Sequence, residues 1–274
     1  MKLLRSPLIS AEHLYKIIDN EELIIFDASI AGIGSEKPSS IATIQLPKAR
    51  YFDIRNVFSN TQDPFPNAVP SQEHFNHEAQ KLGVNNDSFI VAYDDKGIYS
   101  SARVWWLFKA FGFNNVVVLD GGLPEWLSKN YPTENKQQRP INKGNFIGHF
   151  ETKYFKFFNH IKKDIINNDC LILDARSHDR FHGLIKEPRE GLRSGHIPNS
   201  KNLPYTSLFN GNLLKSKSEL QQIFDTLITN QSQIIFSCGS GITACILALA
   251  ATLIGIENSA VYDGSWTEYG SLTT

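Results

Sequence analysis

A cysteine between an apolar segment and a glycine-rich turn is the feature of this chain best suited to chemistry. The segment Ile234–Ser237 has strand propensity, Cys238 follows it, and an Ala- and Leu-rich run begins soon afterwards. This order predicts a strand, a tight turn and a helix. The first N–H groups of a helix lack intrahelical partners, so they would favour a negative charge on the cysteine sulfur. The alternative is a small buried cysteine before a glycine turn.

The residues after Cys238 are suited to surrounding an attached atom. Gly239 and Gly241 tolerate backbone conformations that other residues avoid, which would let the chain curl around an atom attached to the sulfur. We therefore predict that the N–H groups of Gly239, Gly241, Ile242 and Thr243 form a cradle for an anion on Cys238.

Composition excludes several classes of function. The 274 residues suggest about two domains, and Lys+Arg 27 against Asp+Glu 28 gives a net charge of −1, with no overall field for nucleic acid or an acidic membrane. The apolar run Ile242–Ile256 is expected to form a buried helix rather than a membrane span. Three cysteines without CxxC spacing argue against disulfides and structural zinc and favour a reducing cytoplasm; we expect no metal and no cofactor.

The chain contains an internal repeat. Leu23–Ala28 recurs as Cys170–Ala175, and Val117–Gly122 recurs as Ala260–Ser265. Short strands alternate with helices in both halves, which predicts an α/β fold with a parallel sheet and helices on both of its faces.

A polar segment separates the two copies. Ser128–Phe146 has no periodic apolar pattern and is rich in Lys, Asn, Gln and Pro, as is typical of a linker. The predicted organisation is an N-terminal domain at residues 1–130, a linker at 131–146 and a C-terminal catalytic domain at 147–274.

The two copies differ where chemistry is expected. Ile90–Tyr93 matches Ile234–Ser237, but Asp94 and Asp95 follow it in place of a cysteine. Carboxylates there would repel an anion and compete for the N–H groups. We therefore assign the chemistry to the second copy and a scaffold role to the first.

Together these motifs resemble the two-domain rhodanese-type sulfurtransferases. The resemblance runs from about Leu23 to Tyr269 and rests on the tandem copies, on Gly195–Pro198, on Asp263–Trp266 and above all on Cys238–Thr243 (CGSGIT). This loop is similar to that of 3-mercaptopyruvate sulfurtransferases, whereas thiosulfate-using members typically carry two cations after the cysteine. The resemblance implies two tandem rhodanese-like domains and an enzyme that carries sulfur on Cys238.

Two arginines are candidates for binding the substrate. The resemblance places the substrate-binding arginines of the mercaptopyruvate enzymes on Arg180 and Arg189. An arginine fork suits a carboxylate and an α-keto oxygen. The alternative is that each arginine only pairs with an acidic neighbour, namely Asp179, Glu187 or Glu190.

The expected reaction is attack of the Cys238 thiolate on the sulfur of 3-mercaptopyruvate, which leaves pyruvate and a persulfide. A thiol or cyanide then takes the sulfur, and Ser240 would bind the sulfur or relay a proton. Relatives with a proposed Ser/His/Asp relay have a histidine where this chain has Gln45, and glutamine cannot act as a general base. We therefore predict a catalytic role for Ser240 without a triad.

Other functions are less well supported. A cysteine phosphatase needs an arginine six residues after the cysteine, where this chain has Ala244. A thiosulfate sulfurtransferase and a non-catalytic sulfur carrier or interaction protein remain alternatives. The expected partners are a small-molecule sulfur donor and a thiol acceptor, either a small thiol or a thioredoxin-like protein; Cys245 is expected to lie in the core.

Overall fold

Two five-stranded parallel sheets with the same strand order make up the fold. The computed structural model describes residues 6–30, 41, 43–167, 170–229 and 232–273. The elements of the first half are β1 Leu8–Ile9, α1 Ala11–Ile17, β2 Leu23–Asp27, β3 Ile44–Gln45, β4 Arg50–Tyr51, α2 Gln72–Lys81, β5 Phe89–Tyr93, α3 Ser101–Ala110, β6 Val116–Leu119, α4 Gly122–Ser128 and β7 Glu134–Asn135.

The second half again alternates short strands with helices. Its elements are β8 Phe155–Lys156, α5 Phe158–Asn167, β9 Cys170–Asp174, α6 His178–Phe181, β10 Lys201–Asn202, β11 Phe209–Asn210, β12 Leu213–Leu214, α7 Lys217–Asp225, β13 Gln233–Ser237, α8 Ala244–Leu253, β14 Ser259–Tyr262 and α9 Ser265–Leu272. Short 3₁₀ helices cover Thr152–Tyr154 and Tyr205–Leu208.

The strand orders confirm the duplication. The first sheet has the order β1-β6-β5-β2-β4, and the second has β8-β14-β13-β9-β10 when read in the same direction. All pairs in both sheets are parallel. Each sheet is flanked by helices, so the predicted α/β class with tandem domains is confirmed.

Local sequence explains where several helices begin. Ser10 and Ser71 accept hydrogen bonds from the N–H groups of His13 and His74, which fixes the starts of α1 and α2. The predicted helix in the run Ile242–Ile256 is present as the shorter α8, nearly all of which is buried. None of the helices in the described part of the chain is long and apolar enough to cross a bilayer.

The chain divides into two compact units, each with a segment from the other half. Unit 1 comprises Met1–Asn60, Val69–Glu151 and Gly211–Leu213; unit 2 comprises Thr61–Ala68, Thr152–Asn210 and Leu214–Thr274. Each sheet has its own apolar core. Trp126 and Phe89 are buried in the first unit, and Trp266 and Ile235 in the second.

Candidate active site

The loop that carries Cys238 begins at the carboxyl end of the central strand of the second sheet. Strand β13 lies between β9 and β14, and Ser237, its last residue, pairs with Asp174. Cys238 is 2% exposed, Gly241 has a positive φ of 75°, and α8 starts at Ala244. The predicted strand, turn and helix are therefore present.

A serine at the start of α9 holds this loop. The Oγ of Ser265 accepts hydrogen bonds from the N–H groups of Cys238 (3.1 Å) and Gly241 (3.2 Å) and donates to the carbonyl oxygen of Tyr262 (2.8 Å). The same Oγ lies 4.0 Å from the Cys238 Sγ. Ser265 is fully buried and adopts a left-handed φ of 50°, where the first copy has Gly122 at 53°. A residue other than glycine is strained in this left-handed conformation, which indicates that the Ser265 hydroxyl is needed to hold the loop.

We expect the substitution Ser265→Gly to lower turnover about tenfold, because two N–H groups of the loop lose their acceptor. Glycine tolerates the backbone conformation, so the loss would come from the hydroxyl rather than from strain. Steady-state kinetics with Ser265→Ala as a second variant separates the two effects. Wild-type turnover in Ser265→Gly would contradict this role.

Donors remain available around the sulfur. Gly241 donates its N–H to Ser265, but in the part of the chain that the structure describes no protein acceptor takes the N–H groups of Gly239, Ser240, Ile242 or Thr243. These four N–H groups lie in one short loop and can donate hydrogen bonds to a negatively charged atom.

In the first copy, a side-chain carboxylate accepts hydrogen bonds from the corresponding donors. Asp94 follows β5 as Cys238 follows β13, and it is fully buried. Its Oδ2 accepts hydrogen bonds from the N–H groups of Tyr99 (2.8 Å), Ser100 (3.0 Å) and Ser101 (2.9 Å) at the start of α3. The expected competition for N–H groups is therefore visible: the carboxylate occupies the donors that an incoming anion would need.

The two predicted substrate arginines converge on the cysteine loop. A Cβ built on Gly239 would lie 3.1 Å from the Arg180 Nη2 and 3.8 Å from the Arg189 Nη1. Arg189 Nη2 also donates to the Ser240 Oγ at 3.1 Å. Both guanidinium groups therefore lie beside the residue that follows Cys238.

Arg180 also forms an ion pair with Glu187, as the alternative interpretation expected. Its Nη2 lies 2.6 Å from Glu187 Oε2, and its Nε donates to Oε1 at 3.2 Å. Burial acts to lower the pKa of Arg180, but the hydrogen bonds and charge of Glu187, together with the charges of Cys238 and Asp174, raise it above its usual value. The ion pair with Glu187 therefore keeps the Arg180 guanidinium positively charged, and the guanidinium still lies beside Gly239.

A buried arginine that sequence reasoning missed stabilises this pair. Arg176 is 2% exposed; its Nε donates to both carboxylate oxygens of Asp174 (3.1 and 3.0 Å), and its Nη1 lies 2.9 Å from Glu187 Oε1. Its guanidinium carbon lies 4.8 Å from the centre of a Trp266 ring. Glu187 therefore lies between two arginines, one structural and one facing the loop. Comparison of the two copies could have singled out Arg176, because the first copy has the uncharged Ser29 at the corresponding position.

We expect Arg176→Met to lower the free energy of unfolding by about 3–5 kcal/mol, because the carboxylate of Asp174 would be buried without its cation and Glu187 would keep only Arg180. Urea unfolding measures this loss. Lys136→Met is the matched control: Lys136 pairs at 2.8 Å with Asp27, the counterpart of Asp174, but it is 34% exposed, and Asp27 also accepts the O–H of Ser29. A loss no larger than that of the control would contradict the prediction.

The other residues singled out in the sequence have ordinary structural surroundings. Gln45 is 4% exposed, and its Nε2 donates to Glu134 Oε1 (2.8 Å) and to the Ala49 carbonyl oxygen (3.2 Å). Cys245 is fully buried in α8, as expected for a core residue, and its Sγ donates to the Gly241 carbonyl oxygen at 3.3 Å.

Comparison with known proteins identifies the class. The Rhodanese-like domain model matches residues 10–129 and 159–272, which covers both copies. The chain belongs to the rhodanese family.

Particular relatives align over most of their length. The chain is 36% identical to human 3-mercaptopyruvate sulfurtransferase, over 91% of this chain and 85% of the relative. It is 34% identical to Arabidopsis thaliana thiosulfate/3-mercaptopyruvate sulfurtransferase 1, mitochondrial, over 97% and 76%. The solved structure of the Escherichia coli 3-mercaptopyruvate sulfotransferase SseA superposes with a TM-score of 0.85 at 32% identity, over 95% and 99% of the two chains. The predicted resemblance is thus confirmed, and the protein is an enzyme of the rhodanese superfamily that transfers sulfur.

Proposed function

We propose that the enzyme takes sulfur from 3-mercaptopyruvate, carries it as a persulfide on Cys238 and passes it to a thiol. One observation carries this proposal: Arg180 and Arg189 converge on Gly239, beside a loop that has no cationic side chain of its own. A guanidinium pair at that distance suits the carboxylate and keto oxygen of a small α-keto acid. Human 3-mercaptopyruvate sulfurtransferase bears the name of this substrate.

The first half-reaction is a displacement at sulfur. The Cys238 thiolate attacks the thiol sulfur of the substrate, a sulfur–sulfur bond forms, and the carbon–sulfur bond breaks with its electron pair going to carbon. The outer sulfur is thereby oxidised, and the carbon is reduced to the enolate of pyruvate. The proton of the substrate thiol balances the step by moving to that carbon, so a persulfide anion and pyruvate result.

The second half-reaction returns the enzyme to its starting state. An acceptor thiol attacks the outer sulfur, and the sulfur–sulfur bond to Cys238 breaks with its electron pair going to the Cys238 sulfur. The acceptor keeps its proton on the new persulfide, and the Cys238 thiolate is restored. Until then the N–H groups of Gly239, Ile242 and Thr243 hold the outer sulfur as an oxyanion hole holds oxygen, and Gly241 provides the turn. Ser240 acts beside them as a hydrogen-bonding group. We propose a small thiol or a thioredoxin-like protein as the acceptor, and the cytoplasm as the compartment.

The two copies have separate roles in this proposal. The domain at residues 1–130 serves as a scaffold without a catalytic cysteine, 131–146 connects it, and 147–274 carries the reacting loop. The buried carboxylate of Asp94 supports this division of roles, because it occupies N–H groups in the first copy that a persulfide would need.

Thiosulfate is the second candidate donor. The name of the Arabidopsis relative includes both donors, and the two guanidinium groups beside Gly239 provide positive charge near the sulfur that a dianion would need. The uncharged side chains of the loop itself favour the keto acid.

The test uses the wild-type enzyme without an acceptor. Mixing it with 3-mercaptopyruvate should release one equivalent of pyruvate, and mass spectrometry should find one added sulfur atom on the peptide that contains Cys238. Dithiothreitol should then release the sulfur as sulfide. A larger kcat/KM for thiosulfate, measured as sulfite release, would transfer the assignment to that donor. No added sulfur with either donor would refute the proposed carrier role of Cys238.

A further inference from the structure

A short segment from the first half of the chain provides a direct contact with Ser240. Thr61–Ala68 belongs to unit 2, and in it Asn67 is buried, with 8% exposure, although most of its neighbours in the segment are exposed. Asn67 Nδ2 lies 2.9 Å from the Ser240 Oγ and 3.1 Å from the Ser240 carbonyl oxygen. This amide therefore reaches both polar groups of one residue in the cysteine loop.

The backbone conformation of the segment Thr61–Ala68 orients the side-chain amide of Asn67. Asn67 has a left-handed φ of 63°, a conformation that asparagine tolerates better than most residues. Pro64 and Pro66 restrict the chain before it, and Asp63 Oδ1 accepts the N–H of Phe65 at 2.9 Å to form a turn. The segment is thus stiff and ends in a buried amide.

The chemistry of the contact fixes its direction. A backbone carbonyl oxygen can only accept, so the Asn67 group that faces it must be the NH₂. The same NH₂ then donates its second hydrogen to the Ser240 Oγ. Arg189 Nη2 donates to this Oγ as well, at 3.1 Å. Both lone pairs of the hydroxyl are therefore occupied by donors.

A hydroxyl has two lone pairs and one proton, so Ser240 must direct its own O–H elsewhere. Among the described residues no acceptor receives that O–H. It is available to a substrate or to the outer sulfur on Cys238, two residues earlier in the same loop.

We infer that Asn67 is a positioning residue that, together with Arg189, fixes Ser240 as a hydrogen-bond donor toward the reacting sulfur. This role rests on the proposed sulfur transfer at Cys238. Neither partner of the Ser240 Oγ accepts a proton, because one is an amide NH₂ and the other is a cation. Ser240 therefore donates to negative charge and does not pass its proton to a base in the protein.

Two substitutions of Asn67 test this role through their pH dependence. In Asn67→Asp the carboxylate accepts the Ser240 proton, which reverses the hydrogen bond. We expect kcat to fall about tenfold at neutral pH and to recover as the pH falls and the carboxyl becomes protonated. Asn67→Gly keeps the backbone conformation without the amide, and should lower kcat about tenfold with an unchanged pH profile. Both effects should disappear in a Ser240→Ala background.

The matched controls are Asn130→Asp and Asn130→Gly. Asn130 is also left-handed, with a φ of 56°, but it is exposed at the end of α4. These variants should have wild-type kcat and pH profiles. Equal losses from Asn67→Asp with and without Ser240, or a loss that does not vary with pH, would overturn the inference.

A measurement without substrate separates this inference from the proposed function. Urea unfolding of Asn67→Gly, Ser240→Ala and the double variant should reveal coupling between the two positions. If neither donor loads Cys238 but coupling is present, the proposed function fails and the contact stands. If the two stability losses simply add, the Asn67 assignment fails whatever the donor.

Discussion

Replacing Cys238 with serine is expected to abolish pyruvate release from 3-mercaptopyruvate, with kcat reduced by about 10³-fold or more. A serine hydroxyl is scarcely ionised near neutral pH, and an oxygen at this position cannot form a persulfide. The position is buried, and serine is slightly smaller than cysteine, so the substitution should cause no steric clash. Pyruvate formation over time, with and without a thiol acceptor, measures the effect.

Cys245→Ser is the matched control for this substitution. Cys245 is buried in the same region, and its Sγ donates to the Gly241 carbonyl oxygen, a bond that a serine hydroxyl can also make. This variant should retain most of the activity. Comparable loss in both variants, or normal activity of Cys238→Ser, would remove Cys238 from the reaction.

Removing either arginine beside the loop is expected to lower kcat/KM for 3-mercaptopyruvate about 10- to 100-fold. The reason is the loss of charge-assisted hydrogen bonds to the carboxylate and keto oxygen of the substrate. Arg189→Ala leaves the ion pair between Arg180 and Glu187 in place, although it also removes a hydrogen bond to the Ser240 Oγ. Initial rates over a range of substrate concentrations measure the effect.

Two controls separate substrate binding from a general effect of charge. Lys186→Ala removes a cation from the exposed part of the same segment, between the two arginines, and should leave kcat/KM nearly unchanged. The rate at which neutral iodoacetamide alkylates Cys238 should change far less than mercaptopyruvate use. Equal changes in alkylation and turnover would mean that the arginines act on the cysteine or on folding rather than on the substrate.

Sequence patterns predicted the central strands well. Phe89–Tyr93 and Val116–Leu119 form strands over the whole of their continuous apolar, β-prone runs, as suits strands that are covered on both faces. The edge strand near Tyr51 is different, because the sequence Tyr51–Ile54 has strand propensity but the strand is present only as Arg50–Tyr51. The carboxylate of Asp53 accepts the N–H groups of Arg55 and Asn56, and this turn ends the strand.

The polar segment after α4 also contains structure that its side chains do not indicate. Glu134–Asn135 pairs antiparallel with Ile44–Gln45, and the Glu134 carboxylate binds the Gln45 amide. Backbone pairing of two residues leaves no periodic apolar pattern in the sequence.

The candidate site was only partly predictable. The strand, turn and helix pattern singled out Cys238, and the family resemblance singled out Arg180 and Arg189. Ser265 and Arg176 were missed, although the first copy has Gly122 and Ser29 in their places. Asn67 left no such signal, since its contact with Ser240 joins residues 173 positions apart and depends on the folded chain.

The exchange of segments between the two units limits how the protein can be dissected. A fragment that starts at the linker would contain Cys238, Arg180 and Arg189 but would lack Thr61–Ala68, which unit 2 includes. Conversely, a fragment that ends at the linker would lack Gly211–Leu213, which belongs to unit 1. The gene duplication therefore no longer marks a boundary at which the protein can be cut into two self-sufficient pieces. The compact unit that contains Cys238 includes residues from both halves of the chain.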